Sequence, residues 1–385
     1  MDLLQLATQN LYAPIKGRYV TNEKIFEFLK TLNSEFKIDE IGISVLNKPI
    51  LSIQVGNGKN KVLMWSQMHG NESTTTKGLI DFLSFLNSNS SEAQKIKKDY
   101  TLYCIPILNP DGAELYTRAN ANEVDLNRDA KTLTQPESVI LRKIYLAFKP
   151  DVCFNLHDQR TIFGTENSDL PATMSFLAPA FNELREYNET RLKAISVINT
   201  INSALQKYIP DQVGRFDDSF NDNCIGDFLT TQNIPTILFE AGHYCNDYNR
   251  DIVRSFVFIS LYTSLSKIYN KDVGFNNELD DYLKIPQNKH KFRDFIYKNI
   301  KIENNNSEKI ITFAAQYKEV LKDSNIEFEA YISEVEGVDE FLGHQVIDGE
   351  KFVFDSEFGK TPVIGQKADF SLNKMLKFRN GLQLF

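Results

Sequence analysis

The sequence has few of the features that mark secreted, membrane-spanning or disulfide-stabilised proteins. It holds four cysteines in 385 residues and no Cys-x-x-Cys pair, which favours reduced thiols over a disulfide scaffold. No segment approaches the roughly 20 consecutive apolar residues that a membrane-spanning helix needs. The first residues, MDLLQLATQNLYAP, have neither the basic region nor the long apolar region of a signal peptide. These absences predict a soluble, cytoplasmic protein that does not bind membranes.

Positive charge is also scarce. The chain has 43 Lys+Arg against 51 Asp+Glu, a formal net charge of −8. Because nucleic acids and anionic lipids bind basic surfaces, we expect no nucleic-acid partner and instead a peptide or small amide as the substrate. The hydrophobic content of 42% is enough for one large domain and a smaller one.

Strand-like and helix-like segments alternate up to about residue 270. KVLMWSQM, DYTLYCIPIL, PDVCFNLHD and IPTILFEAGH are apolar runs typical of buried strands, whereas TTTKGLIDFLSFLN, PESVILRKIYLAF and FNELREYNETRLKAISVINTINSALQKYI have helical spacing. This order predicts an α/β domain over residues 1–274, with a mixed central sheet flanked by helices. Ligands of such sheets bind where the carboxyl ends of the strands meet.

The texture of the chain changes after a polar tract near residue 275. EKIITFAAQYKEV, NIEFEAYISEVEG and EKFVFDSE alternate apolar and polar residues as strands do. We therefore predict a small β-rich domain over residues 275–385. Its residues indicate no ligand and no role.

A histidine and a glutamate stand three positions apart directly after a predicted strand, in QMHGNES. His69 and Glu72 carry side chains that bind zinc, and catalytic zinc takes three protein ligands with a fourth position for water. His157, at the end of the strand PDVCFNLHD, is the candidate third ligand. Taken alone, the His-x-x-Glu pair is typical of a solvated helix start with a favourable acid, and a lone histidine at a strand end is more often a hydrogen-bonded core or rim residue.

Two further segments offer groups for chemistry. In NPDGAELYTRANANEVDLNRD, Arg118 could stabilise a developing oxyanion, and Asn127 and Arg128 could hold a carboxylate, although a structured loop with exposed arginines is the alternative. In TILFEAGH, Glu240 follows apolar strand residues; since a buried, unpaired carboxylate is costly, it is a candidate general base. His243 is either a further ligand or a rim residue without chemistry.

Together these residues resemble the zinc carboxypeptidase family. The motifs occur in that family's order and at compatible spacing: His69-x-x-Glu72, Asn109-Pro110-Asp111-Gly112, Arg118, Asp125-Leu126-Asn127-Arg128, His157 and Glu240. The resemblance covers roughly residues 60–245. It implies a bacterial member with the family's α/β fold around a mixed sheet and an extra C-terminal domain.

The resemblance also implies a cofactor and a mechanism. One zinc ion per chain would be held by His69, Glu72 and His157, with Asp125 orienting a ligand histidine. Arg118 would polarise the scissile carbonyl. Asn127 and Arg128 would bind the substrate's terminal carboxylate, and Glu240 would act as the general base.

Departures from the family keep other activities open. VGRFDDSFNDNCIGDF lacks the tyrosine that digestive members carry before the catalytic glutamate, so substrate closure must differ. FEAGH and MHGNE are also similar to amino-acid deacylases, and MHGNE to murein-peptide amidases, whereas NPDG and DLNRD favour peptidases. We expect zinc-dependent removal of a C-terminal residue from peptides. The alternatives are an N-acyl-amino-acid deacylase or murein-peptide amidase, and a non-catalytic zinc-fold binding protein.

Overall fold

The computed structural model describes residues 2–267, 278–304 and 307–384. The chain forms two compact units, one of Met1–Gln159 and Thr165–Asn288 and one of Arg160–Gly164 and Lys289–Phe385. The predicted boundary between residues 274 and 275 lies outside the described residues and stays a prediction. Residues 278–288, which follow it, group with the first unit.

The described helices and strands follow one another as the alternating pattern predicts. The helices are α1 Leu3–Gln9, α2 Asn22–Leu29, α3 Thr74–Leu86, α4 Ser91–Asp99, α5 Pro110–Leu115, α6 Pro136–Phe148, α7 Glu189–Leu205, α8 Ile225–Thr231, α9 Val253–Lys267 and α10 Glu278–Lys284. The strands are β1 Lys37–Ile43, β2 Pro49–Val55, β3 Asn60–Ser66, β4 Tyr100–Ile105, β5 Val152–Asp158, β6 Phe163–Thr165, β7 Met174–Leu177, β8 Val213–Arg215, β9 Thr236–Ala241, β10 Asn288–His290, β11 Phe292–Asn304, β12 Ser307–Lys322, β13 Asn325–Glu334, β14 Leu342–Asp348, β15 Phe354–Asp355, β16 Phe370–Leu372, β17 Leu376–Arg379 and β18 Leu382–Gln383. Short 3₁₀ turns cover Leu126–Arg128 and Val338–Glu340.

The first unit is built on an eight-stranded mixed sheet with the order β1-β2-β4-β3-β5-β9-β7-β8. Strands β4, β3, β5 and β9 run parallel to one another in the centre. The pairs β1–β2, β2–β4 and β9–β7 are antiparallel, and β8 pairs parallel with β7. The predicted fold class, a mixed sheet flanked by helices, is confirmed. The carboxyl ends of β3, β5 and β9 lie side by side, so the segments that follow them meet at one edge.

Helices cover both faces of this sheet. Val62, Met64 and Phe154 share a core with apolar side chains of α3, α7 and α9, whereas Leu63 and Trp65, which alternate with the first two, pack with α6 and α8. Every residue of β5 is buried. Strands covered on both faces are expected to be continuously apolar, which is why their sequences were recognisable.

Helix α7 is shorter than the predicted helix over residues 181–209. It begins at Glu189, because the Asn188 side chain accepts the Arg191 N–H and caps it. The buried Arg191 guanidinium donates to the carbonyl oxygens of Ala178, Arg185 and Glu186. These backbone acceptors are satisfied by a side chain, so the segment before Asn188 does not continue the helix.

The second unit is β-rich, as predicted. One four-stranded sheet has the order β13-β12-β11-β14 and another has the order β15-β16-β17-β18. Aromatic side chains from both sheets form its core, with ring centroids 4.7 Å apart for Tyr297 and Phe313 and 4.5 Å apart for Phe370 and Phe378. This unit therefore has an apolar core of its own.

Among the described helices, none combines the length and the apolar character that a membrane crossing would require.

Candidate active site

The loop that carries His69 and Glu72 makes a sharp turn between β3 and α3. Gln67 has a φ of 42°, a left-handed conformation that costs energy for a residue with a side chain. Its buried side-chain amide donates to the carbonyl oxygens of Val20 and Gly70. The turn directs His69 and Glu72, 2% and 9% exposed, back toward the end of the sheet.

The NPDG motif, residues 109–112, packs against this loop and holds it in place. Asn109 caps α5 by accepting the Gly112 N–H, and its side-chain amide donates to the Met68 carbonyl. The backbone of Gly70 lies so close to α5 that a Cβ atom there would stand 1.9 Å from the carbonyl carbon of Gly112. This close approach of two backbones explains the glycine after His69, whereas at the glycine of NPDG a Cβ atom would stand 2.5 Å from the Asn109 side-chain nitrogen and 2.7 Å from the Ala119 carbonyl oxygen.

Replacing Gly70 by alanine should separate the two segments. We expect Gly70→Ala to lower the free energy of unfolding by at least about 2 kcal/mol, because backbone atoms, unlike a flexible side chain, cannot move aside. Chemical denaturation followed by circular dichroism measures this value. A variant as stable as the parent would contradict the close packing of the loop on α5.

His69, Glu72 and His157 converge in a buried cluster. The His69 Nδ1 atom lies 2.8 Å from Glu72 Oε1, the His157 Nδ1 atom lies 2.8 Å from Glu72 Oε2, and the two Nδ1 atoms are 3.0 Å apart. Of the residues that the structure describes, these three form the one cluster of metal-ligating side chains whose ligand atoms lie within 4.8 Å of one another. Two imidazole nitrogens and a carboxylate facing one another form a donor set that fits catalytic zinc.

Asp125 and Arg118 surround this cluster. Asp125 Oδ1 lies 3.0 Å from His69 Nε2, so His69 keeps its proton on Nε2 and presents Nδ1 to the cluster. Arg118 donates from Nε and Nη2 to Asp125 Oδ2, and from Nη1 to Glu72 Oε1 at 3.2 Å. The half-exposed guanidinium is therefore held at the mouth of the cluster by two carboxylates.

The charges of the cluster shift its pKa values in opposite directions. Burial alone would raise the pKa of Glu72, but the charges of His69 and His157 and their hydrogen bonds hold it below its ordinary value. Burial would also raise the pKa of Asp125, but the hydrogen bond to His69 and the charges of His69 and Arg118 outweigh burial and lower it. Burial lowers the pKa of His157. Burial also acts to lower the pKa of His69, but the charge of Glu72 and the hydrogen bonds to Asp125 and Glu72 outweigh burial and raise it. Metal ligation requires ionised carboxylates and neutral imidazoles, so binding a metal here would release the second proton of His69.

Glu240 lies directly beside His157 in the sheet. The register of β5 and β9 pairs the two residues, and Ser175 of β7 is paired with Glu240 on its other side. Burial raises the pKa of Glu240 well above its ordinary value, and the negative charges of Glu72 and Asp158 add to the effect. A carboxylate in such surroundings accepts a proton readily, as a general base must.

Asn127 and Arg128 lie on the 3₁₀ turn after Asp125. The Asn127 side-chain oxygen accepts the N–H of Ile225, which fixes the turn to the start of α8. The exposed Arg128 donates from Nη1 to the Asn127 carbonyl oxygen. The predicted carboxylate-binding role of this pair stays a prediction.

The segment FDDSFNDN, residues 216–223, lacks the expected tyrosine, and its polar residues contact other parts of the fold. Asp218 pairs with the buried Arg191, Lys131 pairs with Asp222, and Asp227 on α8 accepts the Asn221 N–H. Burial raises the pKa of Asp227 to about 7. The acids of FDDSFNDN therefore have partners in the fold, and closure over a substrate cannot rest on a tyrosine there.

Sequence reasoning missed Asp158. This residue ends β5, immediately after His157, and its carboxylate accepts the N–H groups of Thr74 and Thr75 at 2.7 and 3.0 Å. The signal in the sequence was an acid that follows an otherwise apolar strand. His243, considered as a further ligand, is buried but is not part of the cluster.

Part of the chain is similar to known proteins. Residues 23–141 match the family model described as zinc carboxypeptidase. The chain is similar to carboxypeptidase 2 of Trichophyton tonsurans, with 27% identity over 101 residues, 26% of this chain and 19% of the relative. It is also similar to carboxypeptidase SOL1 of Arabidopsis thaliana, with 29% identity over 124 residues, 29% of this chain and 25% of the relative. The matches thus span a quarter or less of these relatives' lengths.

Solved structures share the fold. A metallo-carboxypeptidase from Burkholderia cenocepacia superposes with a TM-score of 0.51 at 19% identity, covering 64% of this chain and 69% of the other. A metallo-carboxypeptidase from Pseudomonas aeruginosa gives a TM-score of 0.51 at 17% identity, covering 68% and 70%. The chain is therefore similar in fold to these two metallo-carboxypeptidases. The predicted resemblance to zinc carboxypeptidases is confirmed.

Proposed function

We propose that the protein is a zinc-dependent carboxypeptidase that removes the C-terminal residue of peptides. The observation that carries the proposal is the convergence of His69 Nδ1, the Glu72 carboxylate and His157 Nδ1, with Glu240 paired to His157 in the adjacent strand. A metal centre with a buried carboxylate beside it is the arrangement that hydrolyses amides with water.

His69, Glu72 and His157 would hold one zinc ion. Zinc, when bound, supplies a Lewis acid and lowers the pKa of water toward about 7. Asp125 fixes His69 in the tautomer that leaves Nδ1 free to bind a cation. The ligand side chains are thus oriented before the metal arrives, which lowers the cost of binding it.

The chain's own residues supply the remaining chemistry. Glu240 accepts a proton from the attacking water at its carboxylate and delivers it to the leaving amine. Arg118, held at the mouth of the cluster, donates to the scissile carbonyl oxygen as negative charge develops there. Asn127 and Arg128 bind the terminal carboxylate of the substrate, because arginine recognises carboxylates in a bidentate manner.

The glycine of FEAGH does not by itself favour a deacylase. Gly242 donates its N–H to the Thr173 carbonyl oxygen, and a Cβ atom at Gly242 would stand 2.0 Å from the Ala172 carbonyl oxygen. The close approach of two backbones requires glycine whatever the substrate is. Products from different substrates, and not this glycine, distinguish a carboxypeptidase from a deacylase or an amidase.

The role of Arg128 gives the test of substrate class. Amidating a peptide's C-terminal carboxylate should lower kcat/KM of the parent about 10- to 100-fold, the value of a hydrogen-bonded charged group. In Arg128→Gln the same amidation should have little effect, because the partner of the carboxylate is already gone. Steady-state kinetics on matched free and amidated peptides measures both ratios. A parent that cleaves both peptides equally well would point to endopeptidase or amidase action.

A further inference from the structure

Asp158 joins the two segments that carry the proposed zinc ligands. It is the last residue of β5 and directly follows His157, and only 2% of its side chain is exposed. Its Oδ2 atom accepts the Thr74 N–H at 2.7 Å, and its Oδ1 atom accepts the Thr75 N–H at 3.0 Å and the Thr75 hydroxyl at 3.3 Å. Glu72 precedes Thr74 by two positions. The carboxylate thus connects β5, which carries His157, to the start of α3, which follows His69 and Glu72 in the chain.

Helix α3 depends on this contact because it has no local cap. Ser73 occupies the N-cap position, but its side chain makes no capping hydrogen bond; it donates instead to the Arg18 carbonyl oxygen. The first N–H groups of a helix need acceptors, and the helix N-terminus attracts negative charge. An acid from a distant strand, with the Arg18 guanidinium 3.9 Å away, takes the place of the cap.

The backbone of Asp158 contacts a ligand directly. Its N–H donates to Glu72 Oε2 at 3.2 Å, the same oxygen that lies 2.8 Å from His157 Nδ1. Glu72 is therefore fixed by Asp158 in two ways. The backbone N–H orients its carboxylate, and the side chain fixes the helix start to which its own backbone is joined.

We propose that Asp158 is a positioning residue that holds Glu72 at the place where it can share a zinc ion with His69 and His157. The inference rests on the proposed function for the identity of the metal site. Groups that orient metal ligands typically contribute 10- to 100-fold to metal affinity. A helix cap without this role would contribute to stability alone.

A matched helix cap elsewhere in the chain separates these two effects. Asp247 is buried, and its carboxylate accepts the N–H groups of Asp251, Ile252 and Val253 at 2.8–2.9 Å, at the start of α9. It precedes a helix that carries none of the proposed ligands. Asp247→Asn and Asp158→Asn therefore remove comparable carboxylates from two helix starts.

The experiment measures zinc affinity by competition with a chromogenic chelator, and the stability of the metal-free proteins by urea denaturation. Both variants should lower the urea midpoint, whereas only Asp158→Asn should weaken zinc binding, by about 10- to 100-fold. Asp158→Asn with the parent's zinc affinity would overturn the proposal and leave Asp158 a helix cap. Equal weakening in both variants would also overturn it.

A milder variant covers the case in which Asp158→Asn does not fold. Thr75→Val keeps the shape of the side chain and removes its hydroxyl hydrogen bond to Asp158, so zinc affinity should fall about two- to tenfold. Unchanged zinc affinity in this variant would overturn the proposal. Because zinc binding is measured without substrate, a parent that binds zinc but cleaves no peptide would refute the proposed function and not this inference.

Discussion

Replacing Glu240 by glutamine should abolish turnover while zinc stays bound. The substitution keeps the size of the side chain and removes the proton acceptor, so we expect kcat to fall by roughly 10²–10⁴-fold, the usual contribution of a general base. Glu240 is paired with His157 in the sheet but is not one of the three side chains of the cluster. The zinc content of the variant should therefore equal that of the parent.

Two measurements on the same preparation check this prediction. Chromatography of the released C-terminal amino acid gives kcat, and elemental mass spectrometry gives zinc per chain. The metal content is the internal control, because a variant that had lost its zinc would be inactive for another reason. Near-native kcat at full zinc content would refute the role of Glu240 as the base.

Replacing His157 by alanine should remove the metal. The parent should carry about one zinc per chain, since catalytic zinc sites use three protein ligands. His157→Ala leaves His69 and Glu72, and two ligands on one loop do not retain zinc through dialysis against a chelator. The melting temperature of His157→Ala should also be lower than that of the parent, because bound zinc stabilises the folded chain by mass action and the variant no longer binds zinc.

His243→Ala is the matched control for this measurement. His243 is as deeply buried as His157, at 1% against 2% exposure, but it does not belong to the cluster. Its replacement should leave about one zinc per chain. Full zinc retention in His157→Ala, or its loss in His243→Ala, would require a different ligand set.

Much of the fold was predictable because the central strands are covered on both faces. The segments KVLMWSQM and PDVCFNLHD contain the apolar runs VLMW and VCF, and they form β3 and β5 of the parallel centre of the sheet. Prediction was poorer where a buried side chain, and not the spacing of apolar residues, decides the backbone conformation. The segment before Asn188 has helical spacing, yet the buried Arg191 guanidinium takes up its carbonyl groups.

The candidate site shows the same division. His69, Glu72 and His157 were identifiable as candidate ligands because the side chains that bind zinc are few in kind and have characteristic spacing. Asp158 was missed because its partners are far away in sequence; Thr74 lies 84 positions before it. No periodicity reports such a contact, and it becomes visible only when the strand and the helix are placed side by side.

The measurement that tests the central claim most directly is mass-spectrometric product analysis of the zinc-loaded parent beside Glu240→Gln. Both proteins are incubated with one mixture of free-carboxylate peptides, amidated peptides, murein tripeptides and N-acyl amino acids. The account predicts that the parent alone releases single C-terminal residues from the free-carboxylate peptides. Products from the acyl or murein substrates alone would contradict carboxypeptidase action and favour a deacylase or amidase. No product from any substrate would contradict the catalytic account and favour a non-catalytic binding protein.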